Sequence, residues 1–168
     1  MKSSWIMLWF LLAAGAWGEP AVDGKLVPGE YAHQVSVIDG AATVSWSPDG
    51  DGGLYFAVSA PTTGWVGLGL GSPVMSGAWI FMGFVKNGTP VFSEQRGVGH
   101  THQPVESLRT DRWAVAQADG WTTVEFHLPA SRLPVSGPSF PFIVAYSGAP
   151  DLTTFHEDNL DGGNITLP

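Results

Sequence analysis

Short runs in which apolar and polar residues alternate fill most of the chain beyond residue 30, and clusters of turn residues separate them. A period of two places successive side chains on opposite faces of a strand, so this pattern is typical of a half-buried β-sheet. No segment carries a sustained helical period with caps. The pattern predicts strands over residues 34–38, 42–46, 54–60, 65–70, 79–85, 90–95, 112–118, 121–128, 140–147 and 164–167.

Two dipeptides between these runs predict tight hairpins. Asn87-Gly88 and Asp119-Gly120 each join two apolar runs. Both are signals for a type I′ turn, whose two central residues need a positive φ. The hairpins and short loops predict an all-β fold with one antiparallel β-sandwich of the immunoglobulin-like kind over residues 19–168 and no internal domain boundary.

The run 121–128 illustrates the alternation. Val124, Phe126 and Leu128 fall on one face, whereas Glu125 and His127 fall on the other. This is typical of an antiparallel strand with one face in the core and one in water. We therefore expect His127 to lie at the surface.

The first 18 residues have the organisation of a secretory signal peptide. Lys2 supplies the positive charge, an apolar run covers residues 5–14, and Ala16 and Gly18 are small residues at the positions that precede cleavage. No later run is long enough to span a bilayer. We expect a periplasmic or secreted protein; the compact signal favours a bacterial periplasm, and glycosylation sequons at Asn87 and Asn164 leave secretion from a eukaryote open.

Composition excludes several classes of function. The 168 residues include no cysteine, which excludes disulfides, thiolate metal sites and covalently attached haem. The formal charge is −8, with only 7 Lys and Arg residues, so the chain is a poor candidate for binding nucleic acid. The glycines of 67–71 resemble a nucleotide-binding loop but lack its third glycine; we expect a strand with close backbone packing, or with a ligand against it.

Two side chains could carry chemistry. Met75 follows the glycine-rich run in a loop, and His156 lies in a loop after the last long strand, whereas Met82 falls within a strand, as a core residue does. A thioether with an imidazole forms the axial ligand pair of many electron-transfer haems. Residue types alone leave open that Met75 fills the core and that His156 is solvated.

The chain resembles a DOMON domain, in particular the haem-binding kind that forms the cytochrome domain of cellobiose dehydrogenase. The similarity covers most of residues 30–168 and rests on the segment 63–71, Met75, Asn87-Gly88, Gln95, Gly99, Pro104, Asp119-Gly120-Trp121, the segment 142–146, His156 and Gly162-Gly163. The resemblance implies a β-sandwich that holds one haem b and transfers electrons.

By the same resemblance, Met75 and His156 are the axial ligands. A haem with both axial positions filled implies that the protein is an electron carrier and not an enzyme. Such a carrier needs a separate redox protein, such as a dehydrogenase, an oxidase or a membrane cytochrome. Arg96 and Tyr146 are guesses for partners of the haem propionates. Acidic residues beside His156, namely Glu157, Asp158 and Asp161, would favour a positively charged partner.

Two alternatives stay open. The sandwich could be a haem-free module that binds carbohydrate or another small ligand on exposed tryptophans such as Trp65, Trp79 or Trp121. The chain could also bind copper through His100, His102 and Met75, since alternate residues of a strand share a face. The glycines before His100 favour an exposed polar loop for this histidine pair.

Overall fold

The computed structural model describes residues 18–167, so the predicted signal peptide lies outside the described residues except for Gly18. Eleven strands make up nearly all of the regular structure in this range. They are β1 His33–Val37, β2 Ala42–Pro48, β3 Leu54–Ala60, β4 Val66–Leu70, β5 Trp79–Lys86, β6 Thr89–Val98, β7 Thr101–Pro104, β8 Arg112–Ala118, β9 Trp121–Leu128, β10 Ser139–Tyr146 and β11 Leu160–Thr166. Between residues 18 and 167, no helix is long and apolar enough to cross a membrane.

The strands form two antiparallel sheets, which confirms the predicted all-β sandwich. One sheet has five strands in the order β1-β2-β3-β9-β8, and the other has six in the order β11-β10-β4-β5-β6-β7. Every predicted strand has a counterpart. The sequence pattern missed β7, a four-residue strand paired with the end of β6, and placed the start of β11 too late.

The two hairpins form as their dipeptides predict. Asn87 and Gly88 have φ angles of 52° and 77°, and Asp119 and Gly120 have φ angles of 53° and 82°. These left-handed values match the twist of the flanking strands and fix their register. As a result, Lys86 pairs with Thr89, and Ala118 pairs with Trp121.

The main core lies between the sheets and is built around stacked aromatic rings. Phe126 stacks on Phe81 with ring centroids 4.4 Å apart and on Phe56 at 5.3 Å, and all three rings are completely buried. Burial of each such side chain contributes about 1.5–3 kcal/mol to folding. Burial of these three rings between the two sheets therefore stabilises the sandwich.

The outer face of the five-stranded sheet is covered as well, which contradicts the expectation that β9 is half exposed. The segment before β1 packs across it, and the buried carboxylate of Glu125 accepts hydrogen bonds from the backbone N–H groups of Asp23 and Gly24 at 3.1 and 2.6 Å and from the Tyr31 hydroxyl at 2.8 Å. Burial raises the pKa of Glu125 despite these three bonds. The alternation of β9 therefore separates two buried faces, one apolar and one polar.

His127 is the clearest correction on this face, because it is buried and not at the surface. Its ring nitrogens lie 2.7 Å from an Asp111 oxygen and 2.9 Å from an Asp49 oxygen, and the ring packs against Tyr55. Burial opposes ionisation of Asp49, but hydrogen bonds from His127 and from two backbone N–H groups outweigh it and lower the pKa of this carboxyl. The polar residues of β9 thus hold loops onto the sheet.

A second apolar cluster lies on the outer face of the six-stranded sheet. Its buried members are Trp65, Ala78, Ile80, Met82 and Phe84. Met82 is 2% exposed, so its interpretation as a packed residue is confirmed, although it belongs to this outer cluster and not to the layer between the sheets. A sheet that is apolar on both faces needs a third layer on its outer side.

Candidate functional site

A cavity of about 510 Å³ opens above this outer cluster. Strands β4, β5 and β10 supply its floor, and the loops that follow β4 and β10 supply its sides. The walls are mostly apolar and include Trp65, Ile80, Met82, Ile143, Ala145 and Phe155. A concave, largely apolar site with a few polar groups is the usual form of a small-molecule or cofactor pocket.

Glycines in β4 form part of the floor. Gly67 and Gly69 both point their missing side chains toward the cavity side, where a Cβ atom on Gly69 would lie 2.6 Å from Cγ1 of Ile143 and one on Gly67 would lie 3.0 Å from Cγ of Met82. Larger residues would push the walls inward. The glycine-rich run is therefore the closely packed strand that the sequence predicted.

Met75 reaches the cavity from a tightly held loop between β4 and β5. The loop begins and ends at left-handed glycines, Gly71 and Gly77, with φ angles of 85° and 81°. The Ala78 N–H donates to the Met75 carbonyl at 3.0 Å, and Gly97 of β6 exchanges backbone hydrogen bonds with Gly77 and Ala78 at 3.0 and 2.9 Å. A Cβ atom on Gly97 would overlap the Met75 carbonyl. These contacts therefore fix the backbone from which the Met75 side chain extends.

His156 reaches the same cavity from the loop between β10 and β11. The Asn159 N–H donates to the His156 carbonyl at 3.0 Å, and the indole N–H of Trp65 donates to the Thr154 carbonyl at 3.1 Å. The Nδ1 atom of His156 is buried and has no hydrogen-bond partner within the described part of the chain. A buried polar atom without a partner is costly, so an unmet interaction remains at this position.

Asp151 fixes the first half of the His156 loop. Its two carboxylate oxygens accept the hydroxyls of Thr154 and Thr153 at 2.7 Å each and the backbone N–H groups of the same residues at 2.9 Å. Because the charged carboxylate receives these four bonds, the Thr154 and Thr153 hydroxyls above all, the pKa of Asp151 falls to about 2.

His100 and His102 line the same cavity, on the side of β6 and β7. The expectation of an exposed polar loop is wrong for His102, which lies on β7 with its Nδ1 3.2 Å from the Gln95 side-chain oxygen. Burial lowers the pKa of His102. Within residues 18–167, no group of three or more His, Cys, Asp or Glu side chains converges so that it could hold a metal ion.

Other candidates lie elsewhere. Arg96 lines a different cavity, and Tyr146 packs against the main core, so neither guess for a propionate partner faces the Met75 and His156 cavity. Asp161 lies on β11 and not in a loop; it borders the cavity and accepts the Ile38 N–H at 2.7 Å, which lowers its pKa. Glu157 and Asp158 are exposed beside His156, as expected.

The tryptophans proposed as a sugar platform do not share an exposed surface. Trp65 is buried beneath the His156 loop, and the guanidinium groups of Arg96 and Arg109 lie 4.6 and 3.7 Å from the centre of the Trp79 ring. Trp121, which is 41% exposed, is the one member of the trio with a free face. This arrangement is unlike the row of open rings that a sugar-binding face requires.

Solved structures share this architecture. The cytochrome b domain of pyranose dehydrogenase from Coprinopsis cinerea superposes with a TM-score of 0.57 and 17% identity, over 79% of this chain and 80% of that one. The chain has the fold of a cytochrome b domain. The cytochrome domain of Myriococcum thermophilum cellobiose dehydrogenase agrees, with a TM-score of 0.59 and 12% identity over 76% of this chain and 75% of that one. No protein-family model and no curated protein matches the chain.

This cytochrome fold accounts for the two-layer sandwich and matches the DOMON resemblance in the sequence. At such low identity the similarity concerns the fold, and the cofactor has to be argued from the residues of this chain. Sequence reasoning favoured an exposed loop for His100 and His102, and its copper alternative placed both on one strand; in the structure His102 lies on β7, whereas His100 lies in the turn before it. The available signal in the sequence was Gly99, whose positive φ of 60° permits the tight turn between residues 95–98 and 101–104.

Proposed function

We propose that the chain is an exported b-type haem protein that transfers single electrons, with Met75 and His156 as the two axial ligands of the iron. One observation carries this proposal: the thioether and the imidazole reach one mostly apolar cavity from loops on separate parts of the chain. Backbone hydrogen bonds hold both loops in place, and Met75 also packs against the outer apolar cluster.

The residues of the cavity fit a haem. Its volume of about 510 Å³ is in the range of cofactor pockets, and its wall of aromatic and aliphatic groups suits the faces of a porphyrin. The buried Nδ1 of His156 lacks a hydrogen-bond partner in the described structure. A cofactor in the cavity would give the imidazole ring a group to bind. The absence of cysteine requires non-covalent attachment, as in haem b.

When bound, haem supplies a one-electron couple at its iron. If Met75 and His156 hold the iron, their thioether and imidazole groups would raise its reduction potential. The apolar walls would exclude water, and these two protein ligands would leave no position on the iron for a substrate. The chain would therefore act as a carrier and leave catalysis to a separate dehydrogenase, oxidase or membrane cytochrome.

The absorption spectrum of the purified protein tests the axial ligands. We expect a six-coordinate low-spin spectrum in the wild-type protein and a high-spin spectrum in Met75→Ala and His156→Ala, because each variant removes one ligand. His33→Ala is the matched control, since His33 stacks on Trp46 in the five-stranded sheet, far from the cavity lining. A wild-type protein that does not bind haem after reconstitution would contradict the proposal.

Copper is the second candidate, because His100 and His102 line the same cavity as Met75. Elemental analysis and paramagnetic resonance of the purified protein distinguish copper from haem iron. Stoichiometric copper that disappears in His102→Ala would favour the copper site and overturn haem. Stoichiometric iron with unchanged metal content in His102→Ala would exclude copper.

A further inference from the structure

A second cavity, of about 650 Å³, lies at the edge of the sandwich and gathers three arginines. It is lined by Trp79 of β5, by Arg96 of β6, by the loop at 105–109 and by Ser131 and Arg132 of a short 3-10 turn. The whole chain has 7 Lys and Arg residues against 15 Asp and Glu residues. Placing Arg96, Arg109 and Arg132 around one hollow therefore concentrates nearly half of the scarce positive charge there.

The guanidinium groups are held in defined orientations. Arg96 and Arg109 both stack on the Trp79 ring, with their Cζ atoms 4.6 and 3.7 Å from its centre. Arg109 Nη1 donates to the Arg132 carbonyl at 2.9 Å, and Arg132 Nη1 donates to the Thr110 carbonyl at 3.3 Å. Stacking fixes the plane of a guanidinium and leaves its in-plane N–H groups available to an acceptor.

The three arginines have no acidic partner among residues 18–167. None of them forms a salt bridge there, and Arg96 Nη1 and Arg109 Nε are buried without a hydrogen-bond acceptor in the same range. The nearby carboxylate of Glu94 is already occupied by the backbone N–H groups of Arg109 and Thr110 and by the Thr110 hydroxyl, at 2.7, 2.9 and 2.6 Å. Unsatisfied buried donors of this kind indicate a missing acceptor.

We propose that this cavity binds a small oxyanion, either a phosphate or a carboxylate. Glu106 also lines the cavity and is exposed. Three guanidinium groups against the carboxylates of Glu106 and the nearby Glu94 leave a surplus of one positive charge, which a bound anion balances. Arginine forks bind phosphate and carboxylate oxygens in pairs, and a concave site favours a small ligand over a protein surface.

Isothermal titration of the full-length protein, as purified with its bound cofactor, tests the site with inorganic phosphate in one arm and succinate in the other. We expect one saturable site in at least one arm, and the arm that binds more tightly identifies the source of the charges. Arg96→Gln and Arg132→Gln should each weaken binding about tenfold or more, since each removes a guanidinium that would form charge-assisted hydrogen bonds to the ligand. Arg132 is exposed, so its replacement spares the fold.

Arg112→Gln is the matched control, because Arg112 pairs with Glu19 away from the cavity and its loss removes the same charge. It should leave the affinity within about twofold of wild type. The proposal is overturned if neither ligand binds saturably below about 10 mM, or if the two cavity variants bind as the control does. The haem spectrum, recorded on the same samples, reports the first cavity independently.

Discussion

At the scale of single residues, His127 shows how a polar side chain can hold the fold together. Its two ring nitrogens lie within hydrogen-bond distance of Asp111 and Asp49, which belong to the loops before β8 and after β2. The side chain thus ties two loops to the outer face of β9.

Replacement of His127 by alanine should therefore lower the free energy of unfolding by about 2–4 kcal/mol, because two hydrogen bonds to charged groups are lost and Asp49 is left largely buried. Denaturant unfolding monitored by circular dichroism measures the loss. His33→Ala, which removes only a stacked and partly exposed ring, should cost about 1 kcal/mol or less. Equal losses in the two variants would contradict this role.

At the scale of elements, each candidate ligand depends on how its loop is attached to a strand. The Met75 loop docks on Gly97 of β6, where there is room for backbone but not for a side chain. The His156 loop docks through Thr154 on the indole of Trp65 and is braced by Asp151. The site therefore depends in part on Gly97 and Asp151, which do not line the cavity.

Gly97→Ala should displace the Met75 loop, because the added methyl group overlaps the Met75 carbonyl. We expect a loss of about 1–3 kcal/mol in stability and, in the haem-bound protein, a shift of the low-spin spectrum toward that of Met75→Ala. Gly148→Ala is the control, since a Cβ atom there meets nothing within 4 Å. A low-spin spectrum that survives in Gly97→Ala would show that the loop position does not matter.

Asp151 should make the His156 loop sensitive to acid. Its folded pKa of about 2 lies below the ordinary value of 3.8, so its stabilising effect is complete above pH 3.8 and disappears as the pH falls toward 2. The difference in unfolding free energy between wild type and Asp151→Ala should shrink over this window. Asp158→Ala, an exposed carboxylate of the same loop without a side-chain hydrogen bond in the described structure, should give a difference that shows no such trend.

Most of the strands could be predicted from the sequence, because a period of two and an Asn-Gly or Asp-Gly turn are local signals. The burial of Glu125 could not, since it depends on the segment before β1, which folds back across the sheet from far along the chain. The burial of His127 could not either, since its partners Asp49 and Asp111 lie in loops distant in the sequence. The positions of Met75 and His156 in loops were readable. The family resemblance implied that the two side chains meet at one site. The alternation of residues does not encode this, because their approach to one cavity depends on the order of strands in the sheet.

At the scale of the whole molecule, the protein carries a net negative charge that is unevenly distributed. Without Lys2 and the rest of the predicted signal peptide, the formal charge is about −9 at pH 7. Glu157, Asp158 and Asp161 add negative charge beside the cavity that holds Met75 and His156, while three of the arginines surround the other cavity. We therefore expect the rim of the proposed haem site to favour a positively charged partner.

Electron transfer to a basic redox protein should slow by about tenfold or more as the ionic strength rises from low salt to about 0.5 M, because salt screens the attraction. Stopped-flow mixing at a series of salt concentrations measures the rate. Asp158→Asn should weaken the salt dependence, whereas Asp119→Asn, in the hairpin between β8 and β9, should change it less. A rate that increases with salt would rule out an acidic docking face.

The six-stranded sheet keeps its two apolar faces separate. The rings that drive folding lie between the sheets, and the cluster around Ile80 and Met82 lies on the other side of the same strands. Substitutions that reshape the pocket should therefore leave the aromatic core between the sheets in place, so that selection, or a protein engineer, could exchange one bound ligand for another on the same scaffold.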